Sequence, residues 1–133
     1  MDNSDNVDRV RAFLDSWKSC DADRITGFMS DDCFYHNVPI DPVQGRAEIR
    51  AFLTGFLAQV EEANFELLAI AESEDGKVLT ERVDRFRING QWLGLRVMGI
   101  FELEGGEISN WRDYYDQAEM DGLLALAGSE ATA

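Results

Sequence analysis

The sequence predicts an α+β fold: a curved, mixed but mainly antiparallel sheet, with helices packed on its concave face around a cone-shaped apolar pocket. Three observations carry that expectation. Apolar residues recur at helical spacing up to Val60, strand-like runs follow from Ala63, and those runs are separated by turn signals at Asp75-Gly76, Asn89-Gly90 and Gly105-Gly106. Helices first and hairpin-linked strands afterwards is an α+β order, and 133 residues support one domain, residues 1–133, with a single core.

Taken in order, Val7, Val10, Phe13, Leu14 and Trp17 mark an amphipathic helix from Val7 to Lys18, with Asn3, Ser4 or Asp5 placed to cap it. Asp21 precedes a short second helix in which Ile25, Phe28 and Met29 share one side and which ends near Asp31. Cys33 to Val38 reads as a strand, and Pro39, Pro42 and Gly45 break the chain after it. Arg46 to Val60 carries Ile49, Phe52, Leu53, Phe56, Leu57 and Val60 at helical period and is the longest helix. Four antiparallel strands follow: Asn64 to Ser73, Val78 to Ile88, Trp92 to Leu103 and Ile108 to Asp116. Asn89-Gly90 is the strongest hairpin signal, because the tight turn needs residues that tolerate positive φ. A short helix from Ala118 to Leu126 ends the pattern, and residues 127–133 read as a frayed tail.

Composition removes several function classes. With 12 basic and 26 acidic residues the formal net charge is −14, which repels phosphate backbones and anionic surfaces, so nucleic acid is not an expected partner. No apolar run is long enough to span a bilayer, and the N-terminal MDNSDNVDRV lacks the basic-then-apolar pattern of a secretory signal. The expectation is a cytoplasmic protein without membrane insertion. Cys20 and Cys33 read as free thiols, and with one histidine and no CxxC no metal site is expected.

Chemistry is concentrated in three spacings. Residues two apart on a strand share a face, so Arg82 and Asp84 project together, as do Trp111 and Asp113, and Tyr35 and Asn37. If the three faces line one cavity, they supply two carboxylates, a guanidinium, a phenol and an amide around an apolar pocket, which is a general acid/base site. A plainer reading stands beside this one. Arg82 and Asp84 can form an exposed ion pair of little consequence, since the other face of the strand carries Leu79, Glu81, Val83 and Arg85. Tyr35 and Asn37 can serve only nearby backbone groups. Phe86, Leu93, Leu95, Val97, Trp111, Phe52 and Phe56 are candidate pocket walls and equally candidate core.

The motifs Tyr35-His36-Asn37-x-Pro39, Gly45-Arg46, Thr80-Glu81-Arg82-Val83-Asp84, Met98-Gly99-Ile100-Phe101-Glu102-Leu103 and Trp111-Arg112-Asp113-Tyr114-Tyr115-Asp116 resemble the limonene-1,2-epoxide hydrolase family in content and order. That family lies among the folds related to nuclear transport factor 2 and ketosteroid isomerase. The resemblance implies a cofactor-independent homodimer that adds water to a small or medium apolar epoxide through an Asp-Arg-Asp triad. Carried over by motif, Asp113 is the base that deprotonates water, Asp84 the acid that protonates the epoxide oxygen, and Arg82 the bridge between them. Tyr35 and Asn37 hold the water, and Phe86, Leu95, Val97 and Trp111 bind substrate. His36, on the opposite side of its strand from Tyr35 and Asn37, is a poor partner for a covalent route. A ketosteroid isomerase-like or polyketide cyclase-like enzyme, and a non-catalytic ligand-binding module on the same fold, are the alternatives.

Overall fold

The structure is a computed structural model and describes residues 4–132. Helix α1 (Ser4–Ser16) buries Val10, Phe13 and Leu14 and tightens into one 3-10 turn, Trp17–Ser19, which buries Trp17. Cys20 then takes a left-handed conformation, φ 51°, and the chain leaves the helix. Helix α2 (Ala22–Thr26) starts on Asp21, whose side chain accepts from the backbone N–H of Asp23 and Arg24. Strand β1 (Met29–Asn37), the two-residue β2 (Val43–Gln44), helix α3 (Arg46–Leu57) and strands β3 (Glu62–Glu72), β4 (Val78–Ile88), β5 (Gln91–Glu104) and β6 (Glu107–Tyr114) follow, and α4 (Gln117–Thr132) closes the chain.

The six strands form one curved sheet in the order β2-β1-β6-β5-β4-β3. All pairings are antiparallel except β1 with β6, so the sheet is mixed and mainly antiparallel, as expected. Strand β4 settles which face is inside: Val78, Thr80, Arg82, Asp84, Phe86 and Ile88 are buried, whereas Leu79, Glu81 and Arg85 are exposed. On β5 the buried set is Leu93, Leu95, Val97, Gly99 and Phe101. Helices α1 and α3 and the 3-10 turn cover this inner face, and a cluster of rings, with Phe13 edge-on to Trp17, Phe101 and Trp111, forms its core.

Several element ends differ from the sequence reading. The second helix stops at Thr26, and Phe28 and Met29 enter the sheet instead: the Ile108 N–H donates to the Phe28 carbonyl at 2.9 Å and Met29 pairs with Ile108. Phe28 and Met29 stand three and four residues after Ile25, so their spacing fits a helix side, but pairing with β6 satisfies their backbone and wins. Strand β1 therefore begins four residues before Cys33. The long helix ends at Leu57 rather than Val60, and α4 continues past Leu126 to Thr132. The candidate cap Asn3 lies outside the described residues, as does Ala133 at the end of the tail. No helix among the described residues is long and apolar enough to cross a membrane.

Candidate active site

Strand register builds the site. The parallel β1–β6 ladder sets Tyr35 beside Trp111 and Asn37 beside Asp113, so two i, i+2 pairs far apart in sequence become neighbours. The next ladders set Asp113 beside Gly99 and Gly99 beside Thr80. One row across the sheet thus reads Asn37, Asp113, Gly99, Thr80. Because Gly99 has no side chain, the Arg82 guanidinium can reach across β5 to Asp113 on β6.

Arg82 uses every N–H of its fork. Nε donates to Asp84 Oδ1 at 2.9 Å and Nη2 to Asp84 Oδ2 at 2.8 Å; Nη2 also donates to Asp113 Oδ2 at 2.8 Å and Nη1 to Asp113 Oδ1 at 3.2 Å. The remaining bond runs from Nη1 to Thr80 Oγ1 at 3.1 Å, and that hydroxyl donates in turn to the Gly99 carbonyl. Relative exposures of 0% for Arg82, 5% for Asp84 and 3% for Asp113 exclude the surface-pair reading. The guanidinium is also 5.5 Å from the Phe65 ring centroid.

Burial sets the protonation pattern. Desolvation pushes the Asp84 carboxyl up, to about 6, against the downward pull of Arg82, and the neighbouring Asp113 adds to the rise. Desolvation works against the charge on Arg82, but Asp113 and Asp84 more than offset it, so the guanidinium stays charged. With one proton held between the two carboxyls the cluster is neutral, which is the state a buried site favours. Burial and then the nearby Asp113 hold the Tyr35 phenol well above its ordinary range, leaving it a neutral donor, and its hydroxyl donates to Asn37 Oδ1 at 3.2 Å.

The cluster opens on a cavity of about 190 Å³. Tyr35, Asn37, Asp84 and Asp113 supply its polar wall, and Phe86, Leu95, Val97 and Trp111 line it with Phe52 and Phe56 from α3. Arg82 lies behind the two carboxylates and is not part of the lining. Leu93 sits in a small adjoining recess rather than in the main cavity. His36 contacts neither of its pocket-facing neighbours' partners: its Nε2 is 2.9 Å from the Ile40 carbonyl.

Some contributors were missing from the sequence reading. Tyr115 and, from α4, Gln117, Met120 and Leu124 also line the cavity. In the sequence Thr80 stands only as the first residue of the Thr80-Glu81-Arg82-Val83-Asp84 motif. Gly99 carried a usable signal, since a glycine inside a strand marks a close approach of another group. For α4 there was none, because a short apolar helix does not announce which surface it covers.

The chain has counterparts among known proteins. Residues 4–124 match the family model described as limonene-1,2-epoxide hydrolase catalytic domain. Epoxide hydrolase EphG of Mycobacterium tuberculosis is 33% identical over 123 residues, covering 88% of this chain and 80% of that protein. Among solved structures, an LEH-like epoxide hydrolase of M. tuberculosis superposes with a TM-score of 0.79 at 28% identity, covering 98% of each chain. BvnE pinacolase of Penicillium brevicompactum superposes with a TM-score of 0.85 over 98% of each chain, but at 13% identity it shows the shared fold alone. The match over nearly the whole described chain, to the family model and to a named relative alike, means that the chain belongs to the limonene-1,2-epoxide hydrolase family, as an enzyme of the epoxide hydrolase class.

Proposed function

We propose that Asp84, Arg82 and Asp113 form a triad that adds water to a small or medium apolar epoxide in one step, giving a vicinal diol without a cofactor. The observation that carries this reading is the buried carboxyl–guanidinium–carboxyl cluster facing an apolar cavity. Opening an epoxide needs a more basic water and a protonated leaving oxygen at once, so one carboxyl must be ionised while the other keeps its proton. Asp113 takes a proton from water, whose oxygen bonds to one epoxide carbon. That carbon's bond to oxygen breaks, and Asp84 delivers its proton to the departing oxygen. Return of the proton from Asp113 to Asp84 restores the pair. Tyr35 and Asn37, beside Trp111 and Asp113 in the ladder, hold the water. A cavity of about 190 Å³ falls below the range that accommodates drug-sized ligands, which favours a compact substrate.

Diol formation from limonene oxide, cyclohexene oxide and styrene oxide is the test, with Asp84→Asn and Asp113→Asn as comparators checked for folding by circular dichroism. Loss of turnover in both folded variants is expected. Failure of the wild type on every epoxide, or unlabelled protein oxygen in the diol after a single turnover in labelled water, would refute the one-step route.

Assembly as a homodimer belongs to the same reading. Leu79, Met98 and Tyr114 lie exposed on the outer face of the sheet, with Met98 paired directly to Tyr114, and a second copy of this face covers them. Light scattering should give twice the chain mass for the wild type and a monomer for Met98→Glu.

A further inference from the structure

The two carboxyls beside Arg82 are not equivalent. Among the described residues, Asp84 receives hydrogen bonds from Arg82 alone, at 2.9 and 2.8 Å. Asp113 receives two from Arg82, at 3.2 and 2.8 Å, and a further one from the Trp111 indole N–H to Oδ1 at 2.7 Å. A hydrogen bond donated to the ionised form favours that form, and a short one to a buried carboxylate is among the strong ones. Arg82 donates two hydrogen bonds to each carboxyl, slightly longer overall to Asp113, and the indole N–H adds a third to Asp113.

We propose that the Trp111 indole N–H selects Asp113 as the ionised member of the pair and leaves the shared proton on Asp84, which makes Trp111 a positioning residue for the hydrolysis. This rests on the reaction proposed above. The packing around the indole fixes its aim. Its ring stacks on Tyr35 at 4.3 Å and on Phe101 at 5.5 Å, both at 15°, and Phe13 meets it edge-on at 5.0 Å. A side chain 1% exposed and clamped on several sides has no room to turn its N–H away from Asp113, two residues ahead on the same face. Since Tyr35 is one of the clamping rings, the same stack holds the base and a water-holding hydroxyl in one rigid unit. Trp17, 5.9 Å from Trp111 in the same ring cluster, is the natural contrast, because its indole N–H has no hydrogen-bond partner among the described residues.

Trp111→Phe keeps a stacking ring and removes the donor, while Trp17→Phe makes the same exchange where no hydrogen bond is lost. The proton is located from the carboxyl carbon resonances of Asp-labelled protein, assigned with Asp84→Asn and Asp113→Asn, so this readout needs no turnover. At about pH 5, below the Asp84 value, the wild type should show Asp84 protonated and Asp113 ionised. Trp111→Phe should move part of the proton to Asp113 and shift the acidic limb of the diol-formation profile upward by about one pH unit, the size of one charge-assisted hydrogen bond. Trp17→Phe should do neither. An unchanged proton distribution in Trp111→Phe, or an equal change in Trp17→Phe, overturns the proposal. If Trp111→Phe does not fold, 3-benzothienylalanine at the same position, an indole isostere without the N–H, carries the same expectation. A wild type that opens no epoxide refutes the reaction, while the carboxyl resonances still decide the role of Trp111.

Discussion

Gly99→Ala is the smallest change that should take the site apart. A methyl group built on Gly99 stands closer than 3.0 Å to both Arg82 Nη1 and Asp113 Oδ1, and 3.2 Å from Thr80 Oγ1. To reach ordinary contact each of these two atoms must retreat by about 1 Å, along diverging directions. Their own hydrogen bond, already 3.2 Å, does not survive that separation. Neither partner has space to yield, because Arg82 and Asp113 are almost fully buried and Arg82 is tied at every N–H. Overpacking of this kind costs about 1–3 kcal/mol, and weakening one arm of a buried ion pair places the total at the upper end, about 3 kcal/mol. For a domain of this size that is a fall in melting temperature of about 10 °C. Displacement of a reacting group by a fraction of an ångström to one ångström should lower diol formation by up to about 100-fold. Gly94→Ala is the control on the same strand: its methyl meets Val83 and the flexible end of Arg85 at 3.2 and 3.3 Å, and it should change stability by less than about 1 kcal/mol. Urea unfolding and diol formation at matched folded fraction measure both effects. A Gly99→Ala protein with wild-type stability and turnover would mean that the triad does not depend on a vacancy in β5.

Other variants test the remaining parts. Because the folded-state value of Asp84 is raised from 3.8 to about 6, its contribution to stability is fully present below the unfolded value and is lost as pH rises through about 6. Asp84→Asn should therefore gain on the wild type between about pH 4 and pH 7, by at most about 3 kcal/mol in urea unfolding, while diol formation falls by about 100-fold or more for want of an acid; a constant difference across that range contradicts the raised value. Tyr35→Phe keeps the stack on Trp111 and loses the hydroxyl bonded to Asn37, so turnover should drop by about 10- to 100-fold with a stability change under about 1.5 kcal/mol. Met120→Ala, which opens the α4 wall, should raise kcat/KM for bulkier epoxides relative to cyclohexene oxide, and Val97→Phe should do the reverse; equal effects on all substrates would remove α4 and β5 from size selection.

The sequence was legible wherever a local rule coincided with the global packing. Asn89-Gly90 marks the β4–β5 turn with φ of 54° and 75°, and the period-2 pattern of β4 gave two faces whose contents could be written down. Which of those faces is inside was not legible, because Leu79 and Val83 on one side match Val78 and Phe86 on the other in hydrophobicity. That choice is made by partners far along the chain. Phe65 pairs with Asp84 and Val97 with Arg82, and the rings of α1 cover the same side. The same limit explains the second helix, where helical spacing in Ile25, Phe28 and Met29 gave way to a strand partner some 80 positions later. It explains α4 too, whose wall residues acquire meaning only once the cavity exists. For the polar groups, spacing supplied the pairs and the parallel β1–β6 register joined them, which no i, i+2 rule can foresee.

Arg82→Met should separate what the cluster does for stability from what it does for chemistry. Removing the guanidinium leaves two buried carboxyls without the charged donors they have among the described residues, where only the Trp111 N–H on Asp113 remains as a donor. Stranding buried charge in this way costs about 3–5 kcal/mol at neutral pH. The loss should shrink as pH falls, because protonation of both carboxyls removes the uncompensated charge. Replacing all three members together by apolar residues of similar volume strands nothing, and such exchanges are often neutral or stabilising by about 1–4 kcal/mol. The expected order in urea unfolding at pH 7 is therefore triple variant at or above wild type, and Arg82→Met well below both, with neither variant forming diol. A triple variant as unstable as Arg82→Met would assign the cluster a structural role that its burial does not require. The expected order means instead that this fold carries its ion triad at a cost in stability, and that the two carboxyls and the guanidinium are kept for the proton they hold between them.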